Sequence, residues 1–135
     1  DLQQTIPERG CVLKLITGMY ILNATLLLLH EIESAYEREW EILKLPGRIT
    51  GFLLLHIPIL LVLFYGLTAL QNFSTTGWIL GIVFGVGGVI PFLVHKLLVK
   101  REGRFERLIS NLIIYLNGGV GLFLVYLCAG RLFSQ

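Results

Sequence analysis

Charged residues are scarce in this chain of 135 residues, since Asp, Glu, Lys and Arg together make up 15%, against about a quarter in ordinary soluble domains. The signatures of P-loop proteins and of dinucleotide-binding enzymes are missing, and so is a Ser-His-Asp set. The segment "HEIES" at 30–34 lacks the second histidine of an HExxH metalloprotease site. With a net charge of only +2, we expect no nucleic-acid partner.

Apolar residues dominate instead, at 55% of the chain with a mean hydropathy of +0.76. They form four blocks of about membrane length, at 11–29, 50–70, 77–99 and 108–133. Backbone groups in lipid must bond within their own segment, so the blocks should be helices, and short connections make neighbours antiparallel. Ser74, Thr75 or Thr76 can cap the third. The sequence predicts an all-α integral membrane four-helix bundle, a single transmembrane domain over 1–135 surrounded by lipid.

An acidic amphipathic segment, residues 30–45, follows the first predicted span. At 100° per residue, one stripe carries His30, Glu33, Glu37 and Glu41, and the opposite stripe carries Ile32, Tyr36, Trp40 and Leu43. We expect this segment either to lie along the membrane interface or to continue the first span as a helical extension.

The cations predict the orientation of the bundle. Eight fall on one side of the predicted membrane and three on the other, which places the first group in the cytoplasm and both termini outward. Cys11 and Cys128 then share the outward face, where a disulfide and two packing thiols are the alternatives. The eight are Arg38, Lys44, Arg48, Lys96, Lys100, Arg101, Arg104 and Arg107, and the three are Arg9, Lys14 and Arg131.

The three histidines converge in this topology. His30, His56 and His95 come from different spans but fall at similar depth near the cytoplasmic side, and ionisable groups within spans are costly unless they have a function or a partner. Glu33, three residues after His30, can reach the same ion. Imidazoles with one carboxylate predict a mononuclear site for a transition-metal ion, zinc or iron. A two-metal centre is disfavoured because only the first span supplies carboxylates there.

Other polar residues have predicted supporting roles. Glu31 and Glu37 are candidate catalytic groups that move protons for a metal-activated water or oxygen acting on a lipid-like substrate. Asn23, on the His30 line of the first helix, and Asn111, near the start of the fourth span, are candidates to orient the ligands.

Several alternatives remain open at this stage. The histidines could form a metal-free proton or hydrogen-bond network, serve separate structural roles, or ligate a tetrapyrrole. The protein could be a non-catalytic subunit of a larger membrane complex, or self-associate, through glycine-rich faces. It could also be a proton or metal carrier, although the chain shows no internal repeat. The glycines are Gly77, Gly81, Gly85 and Gly88.

The stretches "HEIESAYEREW" and "LHIP" resemble an uncharacterised family of small four-span bacterial membrane proteins with His-Glu-x-Asp/Glu, Glu-Trp and Leu-His-x-Pro motifs. A looser similarity links the chain to membrane proteins with a His-x-x-Glu-Glu motif, although Ser34 replaces the second glutamate. The resemblance implies the bundle and a bacterial inner membrane, and no activity. It also favours Glu39, which we count among the supporting groups. A continuous helix would put Glu39 about 180° from His30, so either the helix breaks or Glu39 serves a separate ion pair. The matching positions are His30, Glu31, Glu33, Glu39, Trp40, His56 and Pro58.

Overall fold

The computed structural model describes residues 6–42, 44, 46–97 and 108–134. Its elements are α1 (Ile6–Tyr36), the single turn α2 (Glu39–Ile42), α3 (Arg48–Gln71), α4 (Thr75–Leu97) and α5 (Leu108–Leu132). The four long helices are long and apolar enough to cross a membrane, so the predicted all-α membrane bundle is confirmed. The ends of the chain lie outside the described residues, as do four of the cations predicted to be cytoplasmic, Lys100, Arg101, Arg104 and Arg107.

The first helix does not stop where the apolar block ends. It runs on through His30 to Tyr36, so the first part of the predicted amphipathic segment continues the span rather than lying flat. The chain then turns at Glu37 and Arg38 and forms α2. Arg38 has a φ of 58°, a left-handed conformation that costs a side-chain-bearing residue about 1–2 kcal/mol and cannot continue an α-helix.

The long helices alternate in direction. Contacts between α4 and α5 run from Gly81 beside Cys128 to Gly118 beside Phe92, so the residue numbers rise on one helix as they fall on the other. The same reversal relates α1 to α3. Helices α1 and α4 are parallel, and each also contacts α3 and α5, whereas the described residues of α3 and α5 do not contact each other. Thus α3 lies beside a compact core of α1, α4 and α5.

Glycines allow α4 to approach its neighbours closely. A Cβ at Gly85 would meet the backbone oxygen of Gly121 at 2.8 Å, and one at Gly81 would meet the Sγ of Cys128. Gly77, Gly81, Gly85 and Gly88 are all buried against helices of the same chain. Association with another subunit through these glycines stays a prediction. Cys11 and Cys128 are free thiols, the first exposed and the second buried.

A three-residue connection joins α3 to α4. Phe73 takes a left-handed conformation with a φ of 53°, and the Ser74 hydroxyl accepts a hydrogen bond of 3.0 Å from the backbone N–H of Gly77. Ser74 is therefore the cap among the three predicted candidates. Large apolar side chains such as Leu61, Phe64 and Tyr126 are exposed over the outside of the bundle, the surface that lipid would cover.

Candidate metal centre

The last turns of α1 carry two buried polar residues on one face. His30 and Ser34, four residues apart, are 5% and 3% exposed, and this spacing places them one turn from each other on the same side of the helix. Leu26 lies one turn earlier on that side and is also buried. The apolar residues of α1 thus bury this face against the bundle and carry the histidine in with them.

Glu39 reaches the same place because the helix ends. The left-handed turn at Arg38 lets α2 fold back toward the end of α1, where the Ser34 hydroxyl donates a hydrogen bond of 2.6 Å to Oε2 of Glu39. Glu39 is 6% exposed. A helix that continued past Tyr36 would have pointed Glu39 away from His30, so the first of the two alternatives, the helix break, is the one observed.

His95, in the last turn of α4, completes the group. Its Nε2 lies 3.1 Å from Oε1 of Glu39. Its ring meets that of His30 edge to face, with 5.3 Å between ring centroids and 76° between ring planes. Because α1 and α4 are parallel, their last turns lie at the same end of the bundle. His30, Glu39 and His95 are called the triad below, and this end of the bundle the triad end.

The triad has the composition and spacing of a metal-ligand set. One ligand atom from each residue lies within 4.8 Å of the other two, whereas ligands about 2.0–2.2 Å from a tetrahedral zinc lie somewhat closer together than that. The three side chains would have to move closer together to close the set around an ion. Nδ1 of His30 is buried and has no hydrogen-bond partner among the described residues, and a buried polar atom of this kind is normally satisfied.

The Glu39 carboxyl is held in its charged form. Burial raises its pKa, but the polar contacts of His95 and Ser34 and the nearby charges of His30 and His95 outweigh burial, and the pKa lies below the ordinary value of 4.5. Glu39 is therefore a carboxylate at neutral pH, which is the form that binds a metal ion.

A second His–Glu pair lies next to the triad. Nε2 of His56, on α3, is 3.0 Å from Oε2 of Glu31 on α1. The other ring nitrogen, Nδ1, is 2.7 Å from the backbone oxygen of Phe52, which can only accept, so Nδ1 carries a proton. A hydrogen bond between Nε2 and the Glu31 carboxyl therefore needs one further proton, carried by one of these two groups.

Both polar groups open onto one cavity between α1, α3 and α4. Its volume is about 730 Å³, and its polar lining comprises His30, Glu31, Ser34, Glu39 and His56. The rest of the wall is apolar, with Leu27, Pro58, Phe84 and Pro91 among its residues. A large apolar cavity with a few convergent polar groups is the usual form of a small-molecule site.

A family of unknown function, DUF6713, matches residues 16–131. The chain belongs to this family. The match covers the triad, the His56–Glu31 pair and all four long helices except the first turns of α1 and the last residue of α5. No curated protein and no solved structure matches.

The structure brings together only two of the four residues that we predicted as ligands in this DUF6713 member. His30 and His95 meet, but Glu39 stands where we expected Glu33, because the helix break brings α2 back. His56 is paired with Glu31 instead of joining the group. Glu33 is half-buried and is not a member of the triad.

The remaining predicted residues lie at varying distances from the triad. Glu31 lines the cavity, whereas no contact of the half-buried Glu37 with the triad is seen. Asn23 is fully buried two turns away, and its Nδ2 donates a hydrogen bond of 2.8 Å to the backbone oxygen of Phe84. Asn111 is half-buried in the first turn of α5. Ser34 was missed as a supporting group. Its position four residues after His30 was the available signal.

Proposed function

We propose that this protein is a small membrane metalloenzyme that holds one zinc or iron ion at His30, Glu39 and His95 and acts on a lipid-like substrate. The proposal depends on the triad, in which two imidazoles and one carboxylate from three parts of the chain converge within 4.8 Å in a buried place. Two histidines with one carboxylate leave positions open for water and substrate, as in catalytic zinc sites and in mononuclear iron oxygenases.

The supporting contacts suit such a centre. Ser34 holds one oxygen of Glu39 at 2.6 Å, so the other oxygen, Oε1, is the one that faces His95 at 3.1 Å. A hydrogen bond of this kind fixes the orientation of a ligating carboxylate, and its loss commonly reduces metal affinity by about 10–100-fold. A bound ion would supply Lewis acidity or an activated water at neutral pH.

The cavity supports the second part of the proposal, which is the lipid-like substrate. Its wall is mostly apolar and belongs to three membrane-spanning helices, while the triad residues His30 and Glu39 lie in its polar lining. A substrate with a hydrocarbon part can therefore reach the polar groups from the membrane. The role of Glu31 in proton transfer stays a prediction, supported by its place in the cavity beside His56. So does the role of Glu37.

The orientation is also proposed. We place the triad end at the cytoplasmic leaflet of a bacterial inner membrane, because Arg38, Lys44 and Arg48 lie beside α2 and the start of α3 and cytoplasmic loops are rich in cations.

Metal analysis of the purified protein, with variants of matched chemistry, tests the proposal. We expect close to one ion per chain in the wild type and in His56→Ala, and loss of the ion in His95→Ala and Glu39→Gln. His56→Ala is the matched control because it removes an imidazole that lies next to the triad without belonging to it. Equal metal content in all four proteins, or none in the wild type, would overturn the proposal. The two His–Glu pairs would then remain as a hydrogen-bonded network.

A further inference from the structure

The cavity between α1, α3 and α4 has the length of one membrane leaflet. On α3 its wall extends from Phe52 to Leu63, and on α4 from Val83 to Val94. At a rise of about 1.5 Å per residue each wall is roughly 17 Å long, close to half of a hydrocarbon core of about 30 Å. The polar residues lie at the triad end, where α1 and α4 finish and α3 begins.

The cavity opens to the surroundings of the bundle. Leu55 and Val62 of α3 and Val83 and Ile90 of α4 line it, and these side chains are 44–53% exposed. They lie on the surface that membrane lipid covers. A hydrocarbon chain can therefore pass sideways from the adjacent leaflet into the cavity without crossing the protein or leaving apolar surroundings.

The polar side chains that line the cavity favour a bound head group that donates hydrogen bonds over one that is an anion. Glu31 and Glu39 present carboxylate oxygens, which accept hydrogen bonds. Gly87, deeper on the α4 wall, lacks the usual helical donor to its carbonyl because residue 91 is proline. Phosphate sites rely on Arg, Lys or helix N-termini, and the described residues that line this cavity include neither Arg nor Lys.

We infer that this cavity binds one hydrocarbon chain of an amphiphile whose head is uncharged and carries a hydroxyl group, such as a long-chain alcohol. The chain lies between α3 and α4, and the head lies beside Glu31 and the triad. As a statement about the substrate, this inference rests on the proposed function, because it names the class of molecule that the metal centre would act on. As a statement about binding, it can be tested without the metal.

Photolabelling in phosphatidylcholine vesicles tests this inference. The probe is hexadecanol carrying an alkyl diazirine, and the competitors are hexadecanol and hexadecyl phosphate. We expect the labelled peptides to come from the walls supplied by α3 and α4. We also expect hexadecanol to compete at least tenfold better than hexadecyl phosphate in His95→Ala, which holds no ion, since the described lining offers acceptors and neither Arg nor Lys. A bound ion would itself attract the phosphate.

Two pairs of variants separate the cavity from general contact with lipid. Val83→Trp and Ile59→Trp fill the cavity and should reduce labelling about tenfold. Their controls, Val86→Trp and Leu61→Trp, change exposed residues of the same helices, 47% and 66% exposed, that do not line the cavity, and should label like the wild type. Two independent filling variants guard against one that fails to fold, as judged by helical circular dichroism.

Unchanged labelling in both filling variants would overturn the inference, because the probe would then be reporting the outer surface. Equal competition by hexadecyl phosphate in His95→Ala would overturn it as well, because the head site would then accept an anion without a bound ion. Metal content measured on the same samples distinguishes the two proposals. His95→Ala should lose the ion and keep the labelling, since His95 does not line the cavity. A wild type that is labelled but holds no ion would contradict the metalloenzyme proposal alone.

Discussion

Replacing Gly88 by alanine should destabilise the bundle at a tightly packed polar contact. An added Cβ would lie 2.9 Å from Oδ1 and 3.1 Å from the backbone oxygen of Asn117, and closer still to Oδ1 of Asn23. Both asparagines are fully buried, and real Cβ atoms hardly ever approach oxygen so closely. The helices must therefore separate, or the two amides must move.

The expected change in the free energy of unfolding of Gly88→Ala is the sum of three contributions. Overpacking a filled interior costs about 1–3 kcal/mol, and weakening the hydrogen bond of 2.8 Å from Asn23 to the Phe84 oxygen costs about 1 kcal/mol. Alanine regains about 0.5–1 kcal/mol in a helix relative to glycine. The net destabilisation is about 1–3 kcal/mol.

Gly119→Ala is the matched control. A Cβ there meets nothing within 4 Å, so this variant should gain about 0.5–1 kcal/mol from helix propensity alone. The two variants should therefore differ by about 2–4 kcal/mol in the free energy of unfolding, measured by denaturation with sodium dodecyl sulfate in mixed micelles and followed by circular dichroism. Equal stability of Gly88→Ala and Gly119→Ala would refute the close packing between α1, α4 and α5.

Four further predictions concern the triad end and the orientation. Because the pKa of Glu39 is lowered, its ionised carboxylate should stabilise the folded protein. This contribution should be fully present above the ordinary pKa of 4.5 and be lost as pH falls through the lower folded value. Free energies of unfolding measured from pH 7 to pH 3 should show this loss in the wild type and not in Glu39→Gln. In the same unfolding assay, Arg38→Gly should stabilise the turn by up to about 1 kcal/mol, and Arg38→Ile should destabilise it by about 1–2 kcal/mol. Loss of the ion pair with Glu41 matters little, because this pair of 3.8 Å is exposed. The opposite order of stabilities would contradict the left-handed turn. Ser34→Ala should weaken metal binding about 10–100-fold in a chelator competition, and unchanged affinity would show that Glu39 needs no support. In a Cys11→Ser background, Ser134→Cys should react with an impermeant maleimide added outside intact cells, and labelling only after lysis would reverse the orientation.

The bundle could be predicted because each of its long helices forms for a reason contained in its own apolar block. Each apolar block must satisfy its own backbone in lipid, so helix positions follow from composition, and the alternation of direction places His30 and His95 at one end. The ends of the helices follow from less general causes. Residue 29 closes the apolar block, yet α1 continues to Tyr36, because residues 30–36 still bury His30 and Ser34 on one face.

The ligand set was harder to predict for a definite reason. A helical wheel assumes an unbroken helix, and on that assumption Glu33 lies beside His30 and Glu39 lies opposite. The left-handed conformation of Arg38 changes this result for Glu39, because it ends the helix and lets α2 fold back. Arginine is not a residue type that predicts such a conformation. The Glu-Trp motif of the family that the chain resembles did favour Glu39 as a residue of the site. Trp40 is buried against Phe52, with 5.8 Å between ring centroids, and this packing helps hold α2 in place.

The positions of the triad residues along the chain determine the order in which these residues come together during synthesis. His30 and Glu39 are nine positions apart, and Ser34, which lies between them in the chain, donates a hydrogen bond to Glu39, so the ribosome delivers these two residues of the triad together. His95 emerges more than fifty residues later, on the third membrane-spanning helix. An ion can be fully enclosed only after that helix has inserted and docked in parallel with the first. Under the proposed function, metal loading in a growing cell should therefore report completion of the fold.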